Sequence, residues 1–160
     1  MARYNAWQNR SHISEADKLS DSARREDRGA FFGSIHATMS HVLWGDRMWM
    51  SRFDGMDPPS AGGPAGGARH FEDWSDLKAA RRDMDRAISN WAGRETQERL
   101  DSQLTWFSGI LQREVSKPMG MLVAHFFNHQ THHRGQIHAM LTAAGGSPCD
   151  TDVFLMPDDV

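Results

Sequence analysis

Apolar side chains along this chain recur mostly at helical spacing. Between Gly29 and Phe53, the residues Phe31, Ile35, Met39, Val42, Trp49 and Phe53 follow one another at steps of three, four or seven, which predicts one long helix with a buried face. A second helix is predicted from Trp74, with Leu77, Ala80, Met84, Ala87, Ile88 and Trp91 on its stripe and Gly93 as its C-terminal cap. Pro118, suited to a first helical turn, opens a third that carries Met119, Leu122, Phe126, Ile137, Met140 and Leu141 and ends near Gly145-Gly146. Ala2 to Leu19 has helix-forming composition but a thin stripe of Tyr4, Trp7 and Ser11, and is the fourth. Between these lie two different connections. Asp54 to Arg69 holds five Gly and three Pro and reads as a mobile loop. Leu104 to Val115 is rich in aromatic and β-branched residues around Ser108-Gly109, which suits either a short hairpin or irregular structure. The pattern predicts an all-α protein, a four-helix bundle over residues 1–146, with a tail over 147–160 that packs Phe154, Leu155 and Met156 on its surface.

Composition narrows the function. At 160 residues and 39% hydrophobic content the chain forms one domain able to bury a core without help from disulfides or a structural metal, so a metal found here needs a functional reason. Eighteen Lys and Arg against 21 Asp and Glu leave a net charge of −3, which offers no basic excess for a nucleic-acid backbone. The single cysteine, Cys149, excludes an internal disulfide and a cysteine-based zinc cage and suits a reducing, cytoplasmic setting. Met1 to Arg10 lacks the apolar core of a signal peptide, and no run approaches the ~20 apolar residues of a membrane span. What stands out is histidine: nine in all, with His125, His129, His132, His133 and His138 between Met121 and Met140.

On a helix, residues four apart lie nearly above one another, so His125, His129 and His133 form a column. His129 and His133 fall inside the apolar arc of Leu122, Phe126, Ile137 and Met140, whereas His125 lies at its edge. A buried polar ring without a partner costs roughly 1–3 kcal/mol. Two readings answer that cost: core histidines satisfied by Asn, Gln or backbone groups, or a pair that shares a divalent metal through the i, i+4 spacing used by H-E-x-x-H helices. A bundle-core metal needs a ligand from a facing helix. His41, roughly 80° from the centre of its helix's apolar stripe by the 100° count, can look inward beside Gly45 and Met48. His41, His129 and His133 are the resulting candidate ligands.

The string Asn128-His129-Gln130-Thr131-His132-His133-Arg134-Gly135-Gln136, preceded by His125, resembles the C-terminal signature of the DinB/YfiT-like family. Phe31-Phe32-Gly33-Ser34-Ile35-His36 with His41-Val42-Leu43-Trp44-Gly45-Asp46 resembles that family's second-helix motif, and Tyr4-Asn5-Ala6-Trp7-Gln8-Asn9 its opening, so the resemblance spans roughly Ala2 to Gly146. It implies a four-helix bundle whose three metal ligands fall on His41, His129 and His133. It also implies one divalent ion per chain, nickel or zinc and in some cases iron, with water at the remaining positions, a homodimer, and, in some relatives, a low-molecular-weight thiol used in transfer or isomerisation.

Three neutral imidazoles leave a divalent ion its charge and an open position, the arrangement of catalytic rather than structural zinc. Activation of a thiol or of water against a small-molecule substrate is then available. The sequence thus predicts a metal-dependent enzyme, a thiol-dependent S-transferase or alternatively a hydrolase, with a non-enzymatic, stress-related metal- or ligand-binding protein as the rival. Asn128, Gln130, Gln136 and Asp46 are candidate acceptors for the ligand histidines. Arg134 is expected in a structural ion pair, with an acidic substrate or cofactor bound through its fork of donors as the alternative, Gly135 at a close helix approach, and His36, His132 and His138 at the surface. Trp44, Met48 and Trp49 are expected in the core, and Cys149 as an incidental tail thiol.

Overall fold

The computed structural model describes residues 1–60 and 63–158. Four long helices dominate: α1 (Ala2–Asp17), α3 (Ile35–Phe53), α5 (Trp74–Ala92) and α7 (Met119–Ala143). Between them sit the short helices α2 (Asp21–Arg25), α4 (Gly63–Gly67) and α6 (Gln97–Leu100), and a hairpin of β1 (Gln103–Ser108) and β2 (Arg113–Pro118). Local chemistry sets several boundaries. Ser34 caps α3 by accepting from the Ala37 N–H, Asp73 caps α5 by accepting from Ser75 and Asp76, and Pro118 precedes α7, which runs ~37 Å at 1.5 Å per residue. The hairpin is antiparallel, in register from Gln103 opposite Pro118 to Ser108 opposite Arg113. It settles the choice between hairpin and irregular structure.

α3 packs on α7 and α5, and α1 packs on α5 and α7. One apolar cluster joins Leu43, Met50, Phe53, Met84, Ile88, Trp91, Leu122 and Phe126, with the Phe53 and Trp91 rings stacked at 5.1 Å. A second joins Ile35, Met39, Val42, Leu77, Ile137, Met140 and Leu141. Among the described residues no helix is long and apolar enough to cross a membrane.

Three expectations change. The helix predicted from Gly29 starts at Ile35, because Gly29 (φ 73°) and Gly33 (φ 77°) turn the chain through conformations that suit glycine, and an Ala30–Gly33 bridge closes that turn. Phe31 is accordingly 82% exposed instead of lying on the buried stripe. Within the Asp54–Arg69 loop, Gly63–Gly67 is helical and docks on α3: the Ser40 hydroxyl donates to the Gly67 carbonyl (2.8 Å), and a Cβ at Gly67 would stand 2.8 Å from the Trp44 ring. Ala61 and Gly62 of that loop lie outside the described residues, as do Asp159 and Val160 of the tail. The tail is held by polar groups and not by its apolar residues, since Phe154 and Leu155 are 79% and 46% exposed. Tyr4 Oη donates to the Thr151 carbonyl (2.7 Å), Gln8 Nε2 to the Asp150 carbonyl (2.8 Å), and the Cys149 N–H to Ser11 Oγ (2.8 Å). The thin apolar stripe of α1 has the same explanation. Its inner face is polar, burying Asn5, Gln8, Asn9, His12 and Glu15.

Candidate metal centre

α3 delivers His41, and α7 delivers His129 and His133 from the i, i+4 positions that one helical face provides. One ring nitrogen from each lies within 4.8 Å of the other two. Nε2 of His41 and Nε2 of His129 are 3.4 Å apart. Two nitrogens held tetrahedrally at the usual ~2.0–2.1 Å zinc distance would be separated by ~3.3–3.4 Å. His41 and His133 are buried and His129 is half-buried.

The protonation states agree. Burial first, and then repulsion from His133, His41 and other neighbouring imidazoles, pushes the His129 pKa down to about 3. His133 is also lowered, mainly by burial. Its Nδ1 lies 2.8 Å from Gln136 Oε1, so an Nδ1–H donating to that oxygen leaves Nε2 as a lone pair. Both α7 rings are thus held towards the neutral form that offers a lone pair, and the cluster with His41 could hold a metal ion.

Packing fixes the three rings. A Cβ on Gly45 would stand 3.2 Å from His129 Cε1, so glycine in α3 is what lets the His129 ring come this close. Phe32, brought over the site by the Gly29–Gly33 turn, stacks on His41 with ring centres 3.9 Å apart and reaches His133 at 5.5 Å. The Trp44 ring lies near parallel to His41, with ring centres 6.1 Å apart.

Of the candidate acceptors only Gln136 meets a ligand histidine. Gln130 Nε2 instead donates to Asp46 Oδ1 (2.6 Å), and Asn128 is exposed. Asp46, fully buried, also accepts from Arg81, whose other nitrogen pairs with Asp85 (2.8 Å), and Asn9 Nδ2 donates to Asp85 (2.8 Å). One polar chain therefore links α1, α5, α3 and α7 directly behind the histidines. Burial pushes the Asp46 carboxyl upward against the pull of Arg81 and Gln130. None of this was legible in the sequence, where only the 3.6-residue period is visible and not which polar groups meet across helices.

His132 is exposed as expected, and His125 is exposed at the edge of Trp49 (5.4 Å) and of His129 (6.0 Å), outside the cluster. His36 is buried, contrary to expectation, because the returning chain places the Phe71 carbonyl 2.7 Å from its Nε2. His138 is half-buried, not exposed, against the His12 ring at 5.7 Å. Arg134 makes no ion pair among the described residues; it lies over the Tyr4 ring (5.5 Å) and donates to Thr131 Oγ1 (3.2 Å). Gly135 is exposed with nothing within 4 Å of a Cβ, so close helix approach does not explain it. Sequence reasoning missed Phe32 as a wall of the site. Its signal was the pair of glycines flanking a segment otherwise apolar at helical spacing.

A mostly helical chain in which two facing helices bring three imidazoles together defines a helical protein with a candidate metal centre. The chain belongs to the DinB family, whose model matches residues 1–159. Its similarity to Protein DinB of Bacillus subtilis (strain 168) is 30% identity over 158 residues, 95% of this chain and 88% of that one. The fold is similar to that of a crystal structure of a DinB-like protein from Bacillus cereus ATCC 10987, with a TM-score of 0.63 over 90% of each chain at 16% identity.

Proposed function

We propose that this protein is a divalent-metal enzyme on a four-helix bundle formed by α1, α3, α5 and α7, with His41, His129 and His133 as the ligands, acting on a small electrophilic substrate by way of a thiol nucleophile. The observation that carries the reading is the convergence of three imidazoles within 4.8 Å with no carboxylate in the set. A divalent ion bound by neutral ligands keeps its full charge and so favours the deprotonated form of a thiol or water nucleophile. The protein's own groups do the rest. Gln136 holds the His133 ring with Nε2 unprotonated, Gly45 admits the His129 ring, and the Phe32 and Trp44 rings pack against His41. These apolar rings favour a small organic electrophile over a highly charged one. By family resemblance the reading carries a homodimer and a low-molecular-weight thiol as co-substrate.

The experiment is elemental analysis of the untagged protein after reconstitution with zinc, nickel or iron, beside the variants His41→Ala, His129→Ala, His133→Ala and His132→Ala. Near one ion per chain is expected in wild type and His132→Ala, and none in the other three. Equal loss in all four would sink the assignment. Cobalt(II) in the site then reports the nucleophile: a thiol-dependent enzyme shows a thiolate charge-transfer band on adding a small thiol, and silence there together with chelator-sensitive ester turnover would identify a hydrolase instead.

A further inference from the structure

On the face of α7 turned away from the metal centre, a second set of polar groups surrounds a cleft of about 520 Å³ between α1 and α7. Tyr4, Gln8 and His12 line it from α1, and Thr131, Arg134 and His138 from α7. By the 100° count, Thr131, Arg134, Gly135 and His138 lie roughly 100–180° around the helix from His129 and His133. None of the three histidine ligands borders it.

Arg134 is the feature that calls for a ligand. It is 96% buried by the complement of its 4% exposure, its Nη1 has no hydrogen-bond partner, and no carboxylate among the described residues pairs with it. A buried guanidinium is ordinarily paired, because an isolated buried charge is among the most expensive groups a fold can hold. Here its described contacts are a hydroxyl and the face of Tyr4. Beside it His12 is 2% exposed with both ring nitrogens unpartnered, and the His138 Nδ1 is likewise unpartnered. Among the described residues that line the cleft none is acidic.

We propose that this cleft binds a small organic carboxylate, with the Arg134 guanidinium taking the charged end. A single guanidinium beside the neutral His12 ring balances a monoanion and would leave a phosphate dianion under-compensated, and the planar fork of arginine matches a planar carboxylate. The rest of the cleft suits an apolar body: the Tyr4 ring forms one wall, and Gly135 and Ala139, small residues one turn apart, leave the α7 side open. This gives Gly135 a reason that helix packing does not. The volume lies within the range of small-molecule sites, roughly 300–1,000 Å³.

The test is calorimetric titration of the full chain with sodium benzoate, with benzyl alcohol as the uncharged counterpart and inorganic phosphate as the competing anion. Saturable one-to-one binding of benzoate, absent for benzyl alcohol and weaker for phosphate, is expected. Arg134→Met should weaken benzoate at least tenfold. Gly135→Leu keeps the test sound should the arginine variant misfold: its side chain enters the cleft from an exposed position with no neighbour to displace, so the melting temperature should hold while benzoate affinity falls at least tenfold. In His129→Ala, binding should be unchanged, which separates this site from the metal centre. Benzoate failing to saturate by about 10 mM, where a millimolar site would be mostly filled, would overturn the proposal. So would wild-type affinity in Gly135→Leu, tighter binding of phosphate, or loss of binding in His129→Ala.

Discussion

Acidification should destabilise this protein through His12 in particular. Its ring is buried against α7, and burial first, then the charges of Arg134 and His138, holds its pKa at about 3 against an ordinary 6.5. A histidine whose folded pKa is depressed contributes stability that is fully present above the unfolded value and is lost as pH falls below about 6.5 towards 3, because in that window the unfolded chain binds a proton that the folded chain refuses. At pH 5 roughly thirty unfolded molecules in thirty-one carry the proton and almost no folded ones do, so the loss between pH 7 and pH 5 comes to about 2 kcal/mol. Since pH 5 lies far above the folded value, that figure depends almost wholly on the unfolded pKa. The assay is urea unfolding at pH 7, 6 and 5 of wild type and His12→Leu, with carboxylate buffers avoided because they would compete for the cleft beside His12. His36, His129 and His133, whose pKa values are also lowered, contribute pH dependence to both proteins alike. The variant's stability relative to wild type should therefore rise by about 2 kcal/mol from pH 7 to pH 5. Parallel loss of stability in the two proteins would refute the reasoning, whatever the cost of the substitution at pH 7.

Two further outcomes follow from the same geometry. Gly45→Ala puts a methyl 3.2 Å from His129 Cε1, so metal affinity should fall by roughly tenfold while the metal-free protein melts no lower, since alanine favours a helix by ~1 kcal/mol over glycine; unchanged affinity in a competition titration would show that the ring has room to spare. Asp46→Leu removes one of the two carboxylates on Arg81, leaving Asp85, together with the acceptor of Gln130, and should cost about 3 kcal/mol in urea unfolding; a cost under about 1 kcal/mol would count against the buried polar chain as a source of stability.

The four long helices and the histidine trio could be read from the chain, because each is encoded within a few residues: the 3.6-residue stripe, Pro118 ahead of a first turn, and the i, i+4 pair of α7; the hairpin was one of two readings that the sequence left open. His41 was reachable for the same reason, as one position on one helical face. Periodicity also misled where glycine intervened. Phe31 keeps helical step with Ile35, yet positive φ at Gly29 and Gly33 breaks the helix and turns Phe32 onto His41.

What only the tertiary structure decided is the set of pairings between polar groups on different helices. His36 is buried because a carbonyl 35 residues away covers it, Gln136 and not Asp46 serves His133, and Asp46 joins Arg81 and Gln130 in a chain across four helices. Arg134, expected in an ion pair, stands without one in a cleft that exists only once α1 meets α7. The physical reason is range. Helix formation and the facing of apolar residues are set by neighbours within one or two turns, whereas a buried polar side chain takes its meaning from whichever donor, acceptor or charge the fold happens to bring within ~3 Å.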